Sequence, residues 1–230
     1  YVVHNGNLVK TVFGNWGVVG QPGNNGPRGA WINENNGYVG DVSLLVGAEV
    51  TAPNSDGETI TFHSVVVCPV DRPVLGGMEQ SLSGSPWGFE PVVGYMNENQ
   101  ESIAMSTNPS SWPSSWPDKG SDWNGQWNGF FGKDVQNIQQ ESFYVMNDNN
   151  DQEFNFSQNN QWGVEFKPDI DNPMLNGLGL EVKVRGMQWG QFLAQDCIFW
   201  LYEITNTSTT DYNKVVFGEL VGTYVGATGT

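Results

Sequence analysis

Four tryptophans in one short segment of the chain are the residues best suited to bind a ligand. The segment Ser110–Gly132 reads SSWPSSWPDKGSDWNGQWNGFFG, and its tryptophans are Trp112, Trp116, Trp123 and Trp127. Flat apolar rings with polar edges suit the faces of sugars, so these four residues are the candidate ligand-binding residues. A carbohydrate-binding module is therefore one hypothesis for the chain.

The same tryptophans have two other interpretations. Neither a helical nor a strand period runs through the segment, which predicts a long structured loop. Ordering a loop costs about 1–2 kcal/mol of backbone entropy per residue, so the rings must pack against something. Packing onto the body of the domain is the favoured interpretation, and contact with a neighbouring subunit is the third.

Acidic residues around the tryptophans raise the hypothesis of a glycan-cleaving enzyme. Such an enzyme needs only two carboxyl groups placed across a cleft. The candidates are Glu90, Glu98, Glu101, Asp118 and Asp122. Their spacing singles out no pair, so solvated loop acids are the favoured interpretation and no catalytic residue is assigned.

The stretch Asn147–Glu153, NDNNDQE, is rich in the oxygen ligands that calcium prefers. The candidate metal ligands in it are Asp148, Asn150, Asp151 and Glu153. It departs from the EF-hand pattern because Glu153 stands where the sharp turn needs glycine. Asp169 and Asp171 would add ligands if the loops converge. A solvent-exposed turn with local backbone hydrogen bonds is the favoured interpretation, and calcium is the alternative.

Nucleophilic catalysis is disfavoured because the chain has two histidines, His4 and His63. A Ser-His-Asp or Cys-His arrangement would have to use one of them. His4 is predicted to lie in a mobile N-terminus and His63 on the polar-leaning face of a strand. No nucleophile-elbow or phosphate-binding glycine motif is present in a suitable context, so neither a nucleophilic hydrolase nor a nucleotide cofactor is implied.

Both cysteines, Cys68 and Cys197, lie in apolar runs, VVVCPV and DCIFWLY. We predict two buried thiols that act as small hydrophobic side chains. The alternative is a disulfide, which would close a very long loop and stabilise the fold by about 4–5 kcal/mol.

Charge and composition limit the partners of the protein. The formal net charge is −16, from 25 acids and nine bases. This field repels phosphate backbones and anionic lipids, so nucleic acid and membrane-surface partners are disfavoured. Charged residues make up 15% of the chain, below the usual quarter, which is typical of a neutral Asn/Ser/Gly surface and of exported proteins. The chain starts at YVVHNGN without methionine, as expected of a processed chain or a piece of a longer one.

Strand patterns dominate the sequence. Leu44–Thr51 and Thr59–Val67 flank the turn cluster Pro53–Gly57, which predicts a hairpin. Three further strands are predicted towards the C-terminus: Leu178–Arg185, Asp196–Thr205 and Tyr212–Tyr224. The second of these is apolar on both faces, which predicts a central position in its sheet. The one helix candidate is Val135–Phe143.

These elements predict an all-β fold, an antiparallel β-sandwich of the immunoglobulin-like or jelly-roll-like kind with long Trp/Gly/Asn-rich loops. No linker-like change of composition is visible, so residues 1–230 are predicted to form a single domain. A subdivision near 147–160 is the alternative.

Several strings of the chain resemble the N-terminal regions of large exported proteins. These strings are HNGNLVKTVFGNWG, GDVSLLVGAEV, WNGQWNGFFGK, QQESFYVMNDNNDQEF and DCIFWLYEITNTSTTDYNKVVFG. Proteins of that kind are typically uncharacterised, rich in β-sandwich modules, and carry a C-terminal secretion-sorting domain. The resemblance implies a β-rich fold and an extracellular or cell-surface location, and it supplies no catalytic residue.

Together these observations favour a non-enzymatic extracellular structural or surface protein, for example a subunit of a surface layer or filament. Self-association, or assembly with other surface proteins, is expected because natural sheets protect open edges with lysine, proline or bulges, and lysine is scarce in the strand-rich C-terminal third. After Ile170 the chain has only Lys183 and Lys214 as lysines. The alternatives are the carbohydrate-binding module and the glycan-cleaving enzyme.

Overall fold

The structure is a computed structural model that describes residues 1–20, 26–33, 35–68, 79–80, 86–100, 102–154 and 163–227. Almost all regular structure in these residues is antiparallel β-strand, and helical geometry is confined to two single 3₁₀ turns, Pro109–Ser111 and Ser121–Trp123. The strands are β1 (Val2–His4), β2 (Val9–Phe13), β3 (Val18–Val19), β4 (Ala30–Trp31), β5 (Gly37–Pro53), β6 (Thr59–Val67), β7 (Glu79–Gln80), β8 (Pro86–Trp87), β9 (Glu90–Pro91), β10 (Ala104–Met105), β11 (Asn128–Gly129), β12 (Gly132–Lys133), β13 (Gln140–Asn147), β14 (Leu180–Gln188), β15 (Phe199–Asn206) and β16 (Val215–Ala227).

The first sheet has seven strands and is organised around the long strand β5. Its order is β1-β2-β3-β5-β16, with β6 also paired to β5 and β4 to β2. The β5–β6 hairpin runs from Leu45 opposite Val67 to Pro53 opposite Thr59, which confirms the predicted hairpin. Strand β5 is longer than predicted because it extends back to Gly37, where it pairs with β16.

The second sheet has five strands in the order β10-β13-β14-β15, with β9 also paired to β13. Its strand β14 confirms the alternation predicted for Leu178–Arg185, since Leu180, Val182 and Val184 are buried. The helix predicted at Val135–Phe143 is wrong. Residues from Gln140 onward form β13, which pairs with β14 on one side and β10 on the other, and this burial overrides the local pattern.

The predicted central position of the strand at Asp196–Thr205 is also wrong. The strand begins at Phe199 and forms the edge of the second sheet. Its inward side chains pack on the core, whereas Phe199 and Leu201 on the other face are exposed. The last predicted strand, Tyr212–Tyr224, is confirmed as β16 and forms the edge of the first sheet.

One apolar core lies between the two sheets. Phe13, Leu44 and Val46 from the first sheet meet Tyr144 and Met146 of β13 there. Residues on both sides of the proposed boundary at 147–160 contribute to this core. The fold class is therefore an all-β antiparallel sandwich, as predicted.

The two cysteines are both free and differ in environment. Cys68 is buried in the core, which confirms the prediction, and burial raises the pKa of its thiol well above the ordinary value. Cys197 is exposed, so its predicted burial is wrong. It follows a turn in which the N–H of Cys197 bonds the carbonyl of Ala194, and it precedes β15 instead of lying within the strand.

His4 is buried in the structure, so its predicted placement in a mobile N-terminus is wrong. Its ring stacks on Phe13 and meets Trp200 edge-on, with centroids 4.9 and 5.4 Å away. Nδ1 donates to Gln188 Oε1 over 3.1 Å, so Nε2, 2.9 Å from Ser142 Oγ, accepts in the neutral ring. Burial lowers the pKa of His4 to about 4.

The residues after His4 fasten the first sheet to the second. Asn5 N–H donates to Gln140 Oε1 over 2.7 Å, and Gly6 N–H donates to Gln188 Oε1 over 2.9 Å. Asn7 Nδ2 donates to the carbonyl of Cys197 over 2.7 Å. The β1–β2 connection is thus held by polar contacts across the sandwich, which a hydrophobic pattern does not reveal.

We expect His4 to remain neutral well below the ordinary histidine range. Because its pKa is lowered, the unfolded state takes up the proton first, and folding stability falls as pH drops from 6.5 towards about 4. Proton NMR at about pH 5.5, where a free imidazole is about 90% protonated, should show the His4 ring still neutral. A His4→Asn variant assigns the signal, and an ordinary titration curve for His4 would contradict this placement.

Gly186 of β14 has no room for a side chain. A Cβ atom there would lie 2.4 Å from His4 Nε2 and 2.8 Å from Ser142 Oγ. We expect Gly186→Ala to lower the free energy of unfolding by about 1–3 kcal/mol in urea denaturation, because overpacking forces these side chains apart. The matched control is Gly47→Ala in β5, whose Cβ would meet its nearest atom at 3.5 Å. Equal effects of the two substitutions would refute the close contact.

Candidate binding surface at the tryptophan-rich loop

The tryptophan-rich loop, residues 109–134, covers the outer face of the second sheet. A second apolar cluster lies beneath it, formed by Tyr95, Ala104, Trp116, Trp127, Phe143 and Val145. Phe143 and Val145 belong to β13 and point away from the core between the sheets. The protein therefore has three layers, and the loop is the outermost.

Trp116 and Trp127 are part of this inner packing. They are 2% and 0% exposed, and their rings meet edge-on with centroids 5.7 Å apart. Trp116 Nε1 donates to the carbonyl of Gln126 over 2.9 Å, and Trp127 Nε1 donates to Glu141 Oε2 over 2.9 Å. Neither ring offers a face on which a ligand can stack, so packing onto the body of the domain describes these two.

Trp112 and Trp123 remain partly exposed and have different surroundings. Trp112 Nε1 donates to the carbonyl of Met105 over 2.7 Å, and its ring is tilted by 41° against Trp127. The ring of Trp123 has the ammonium group of Lys119 4.8 Å from its centroid. Because Trp116 and Trp127 are buried, the four tryptophans do not form one platform, and Trp112 borders the groove described below.

A buried ion pair holds the loop to the sheet. Glu141 is 1% exposed, and its Oε1 accepts from Arg185 Nη1 over 2.6 Å and from Phe130 N–H over 3.0 Å. Arg185 Nη1 also donates to the carbonyl of Asn128 over 2.7 Å. Its guanidinium lies over the ring of Phe143, 4.0 Å from the centroid. Burial lowers the pKa of Arg185, and the Glu141 carboxylate opposes this shift.

The candidate catalytic acids are engaged separately. Asp118 Oδ1 accepts from Asn128, and its Oδ2 lies 3.8 Å from Lys119 Nζ. Asp122 pairs with Lys133 over 2.8 Å. Of the remaining candidates, Glu90 accepts from Asn150, Glu98 borders the groove at Trp112, and Glu101 lies outside the described residues. These contacts bring no two of the described acids together across a cleft.

The acids of the candidate calcium loop are buried, so the predicted solvent-exposed turn is wrong. Asp148 accepts from the N–H groups of Leu178 and Leu180, each over 2.7 Å. Asp151 accepts from the N–H groups of Gly88 and Glu153, each over 2.9 Å. These carboxyl groups satisfy backbone donors of neighbouring loops.

The remaining members of that loop have different roles. Glu153 Oε2 accepts from Ser64 Oγ over 2.6 Å, while Asn150 is exposed. Asp169 and Asp171 lie in a turn of their own, where Asp171 N–H donates to Asp169 Oδ1 over 2.9 Å. Within the described ranges no group of three or more His, Cys, Asp or Glu side chains is arranged to hold a metal ion. Calcium binding stays a prediction.

Burial raises the pKa of Asp148 to about 7 and that of Asp151 to about 8. The folded state therefore holds these protons more tightly than the unfolded state does. The protonated carboxyl groups of Asp148 and Asp151 therefore stabilise the folded state at acid pH, and this stabilisation is lost as pH rises through about 7 and 8. This direction is opposite to that of His4.

A groove of about 470 Å³ lies between residues 94–99 and residues 112–117. Its lining includes Met96, Glu98, Asn99, Trp112 and Ser115. Sequence reasoning identified Trp112 but not the opposite wall, because residues 94–99 carry no pattern that places them beside the loop.

No protein family, curated protein sequence or solved structure matches the chain. The fold itself defines the class, an antiparallel all-β sandwich with an added aromatic layer. The part of the chain that the structure describes contains no helix long and apolar enough to cross a bilayer.

We expect Arg185→Met to destabilise the protein by about 3–5 kcal/mol, since it leaves the Glu141 carboxylate buried without its cation. Urea denaturation followed by tryptophan fluorescence measures this loss. The control is Lys133→Met, which breaks the exposed ion pair with Asp122 and should change stability very little. Similar stabilities of the two variants would contradict the role assigned to Arg185.

Proposed function

We propose that this chain is a non-enzymatic structural protein of the cell surface or extracellular space that assembles with further copies of itself. The observation that carries the proposal is that the last two strands, β15 and β16, form sheet edges on the same side of the sandwich and remain exposed. Tyr202 of β15 and Phe217 of β16 meet there, with ring centroids 6.4 Å apart.

Strand β16 is exposed on both faces. Its residues Val215, Phe217 and Val221 share the face of the β5 residues they pair with, the buried Ala48 and Val46 and the partly buried Val42, yet each of the three is more than half exposed. Val216 and Leu220 on the opposite face are also at least half exposed. The sandwich is therefore uncovered at this side. A further strand paired with β15 would extend the second sheet and cover the inner face of β16.

The backbone of both strands has free hydrogen-bonding groups at this side. Glu49 N–H donates to the carbonyl of Lys214. In an antiparallel pair, every second residue after Lys214 therefore directs its backbone N–H and C=O groups towards β5. Those of Val215, Phe217 and Val221 therefore point outward. The same rule applies to β15, where Thr207 N–H donates to the carbonyl of Gly179. The backbone groups of Trp200, Tyr202 and Ile204 therefore point away from β14. Among the described residues no strand pairs with either edge.

These edges have little of the usual protection against pairing: one charged residue, Glu219, lies on the inner face of β16, opposite Leu44. Neither β15 nor β16 contains lysine or proline, and the register shifts between β16 and β5 begin after Gly222. The run from Val215 to Gly222 is long enough to pair with another strand. A monomer would expose an apolar edge of the kind that natural proteins avoid.

A second copy is the partner that fits best. A two-fold axis normal to the sheets pairs β16 with β16 and β15 with β15, which extends both sheets across two molecules. Each copy then supplies the strand that the other lacks. The exposed acids on these two strands, Glu203 and Glu219, are few, but each copy has a net charge of −16. Association should therefore strengthen when salt screens this charge.

Sedimentation velocity on the concentrated protein tests this proposal. We expect dimers or larger species, with a larger fraction at high salt. Val221→Lys and Phe217→Lys should weaken association at least tenfold, because they place a charge at the paired edge. Val93→Lys changes a residue that is 76% exposed elsewhere and is the control. A monodisperse monomer at both salt concentrations, or assembly that both edge variants retain, would refute the proposal.

A further inference from the structure

We propose that the groove beside Trp112 binds a neutral carbohydrate. The groove is bounded by residues 94–99 on one side and residues 112–117 on the other. Its volume of about 470 Å³ lies within the range of small-molecule sites in proteins. It lies on the outer layer of the second sheet and is separate from the exposed edges of β15 and β16.

The walls of the groove are fixed relative to each other. Asn97 N–H donates to the carbonyl of Ser111 over 2.8 Å, and Asn97 Nδ2 donates to that of Ser110 over 2.9 Å. The Trp112 ring is held by its bond to the Met105 carbonyl and by the tilted contact with Trp127. A ligand would therefore meet a formed site, which keeps the entropic cost of binding low.

The chemistry of the lining matches a sugar ring. Trp112, Met96 and Pro117 provide apolar surface for the C–H face of a pyranose. Glu98, Asn99, Ser114 and Ser115 add polar groups at the exposed rim. Their side chains make no hydrogen bond within the described part of the chain, so they are available to sugar hydroxyls.

The charge of the groove selects for a neutral ligand. Its lining carries one acid, Glu98, and no basic residue, in a protein of net charge −16. Phosphate-bearing ligands and acidic sugars would be repelled. An aliphatic or lipid ligand would find too little apolar surface, because half of the ten lining residues are polar.

Binding of neutral oligosaccharides, followed by NMR of the tryptophan indole N–H signals, tests this site. The probes are cellohexaose, mannohexaose, xylohexaose and chitohexaose, with an oligogalacturonate as the anionic control. We expect at least one neutral probe to shift the Trp112 signal at millimolar concentration or below, and the anionic probe to leave it unchanged. If none of the four neutral probes shifts this signal, the proposal is overturned.

Two variants separate the groove from other surfaces. Trp112→Ala removes the stacking face, and Ser115→Arg fills the groove while it keeps Trp112 and its packing. Binding to the variants is measured by isothermal titration calorimetry, because Trp112→Ala removes the Trp112 signal. Both should weaken binding at least tenfold and leave self-association unchanged, whereas Trp123→Ala should bind as the original protein does. Binding that survives Ser115→Arg, or is lost equally in Trp123→Ala, would place the ligand elsewhere and overturn the assignment.

Discussion

The arrangement of layers depends on the pairing of β14 with β13, a strand that is buried on both faces. On the outer face, the Glu141–Arg185 ion pair fastens the tryptophan-rich loop through Trp127, Phe130 and Asn128. On the inner face, the next residues along each strand, Ser142 and Gly186, contact His4. One strand pair thus holds an aromatic layer on one side and the N-terminal hairpin on the other.

The sequence predicts those parts of the fold in which side chains alternate simply. The β5–β6 hairpin and β14 follow from apolar residues at every second position between turn residues. It does not predict β13, because that strand is buried on both faces and its short polar start has no strand period. Glu141 lies in this segment, so the sequence does not reveal the residue that accepts the hydrogen bond of Trp127.

Two other features depend on contacts between distant residues. The burial of His4 and the acids Asp148 and Asp151 relies on partners far away in the chain, and no local pattern reports such partners. The edge position of β15 was missed because its two apolar faces resemble those of a central strand. That same mismatch, an apolar strand without a neighbour, supports the proposal that a second copy completes the sandwich.

The central claim is that the free edges of β15 and β16 pair with another copy. Hydrogen–deuterium exchange at single-amide resolution, compared between dilute and concentrated protein, tests it most directly. Pairing predicts that the outward amides of Val215, Phe217 and Val221 become protected on concentration, while the amide of the exposed Val93 keeps its exchange rate. Outward amides that exchange equally fast at both concentrations would contradict the account.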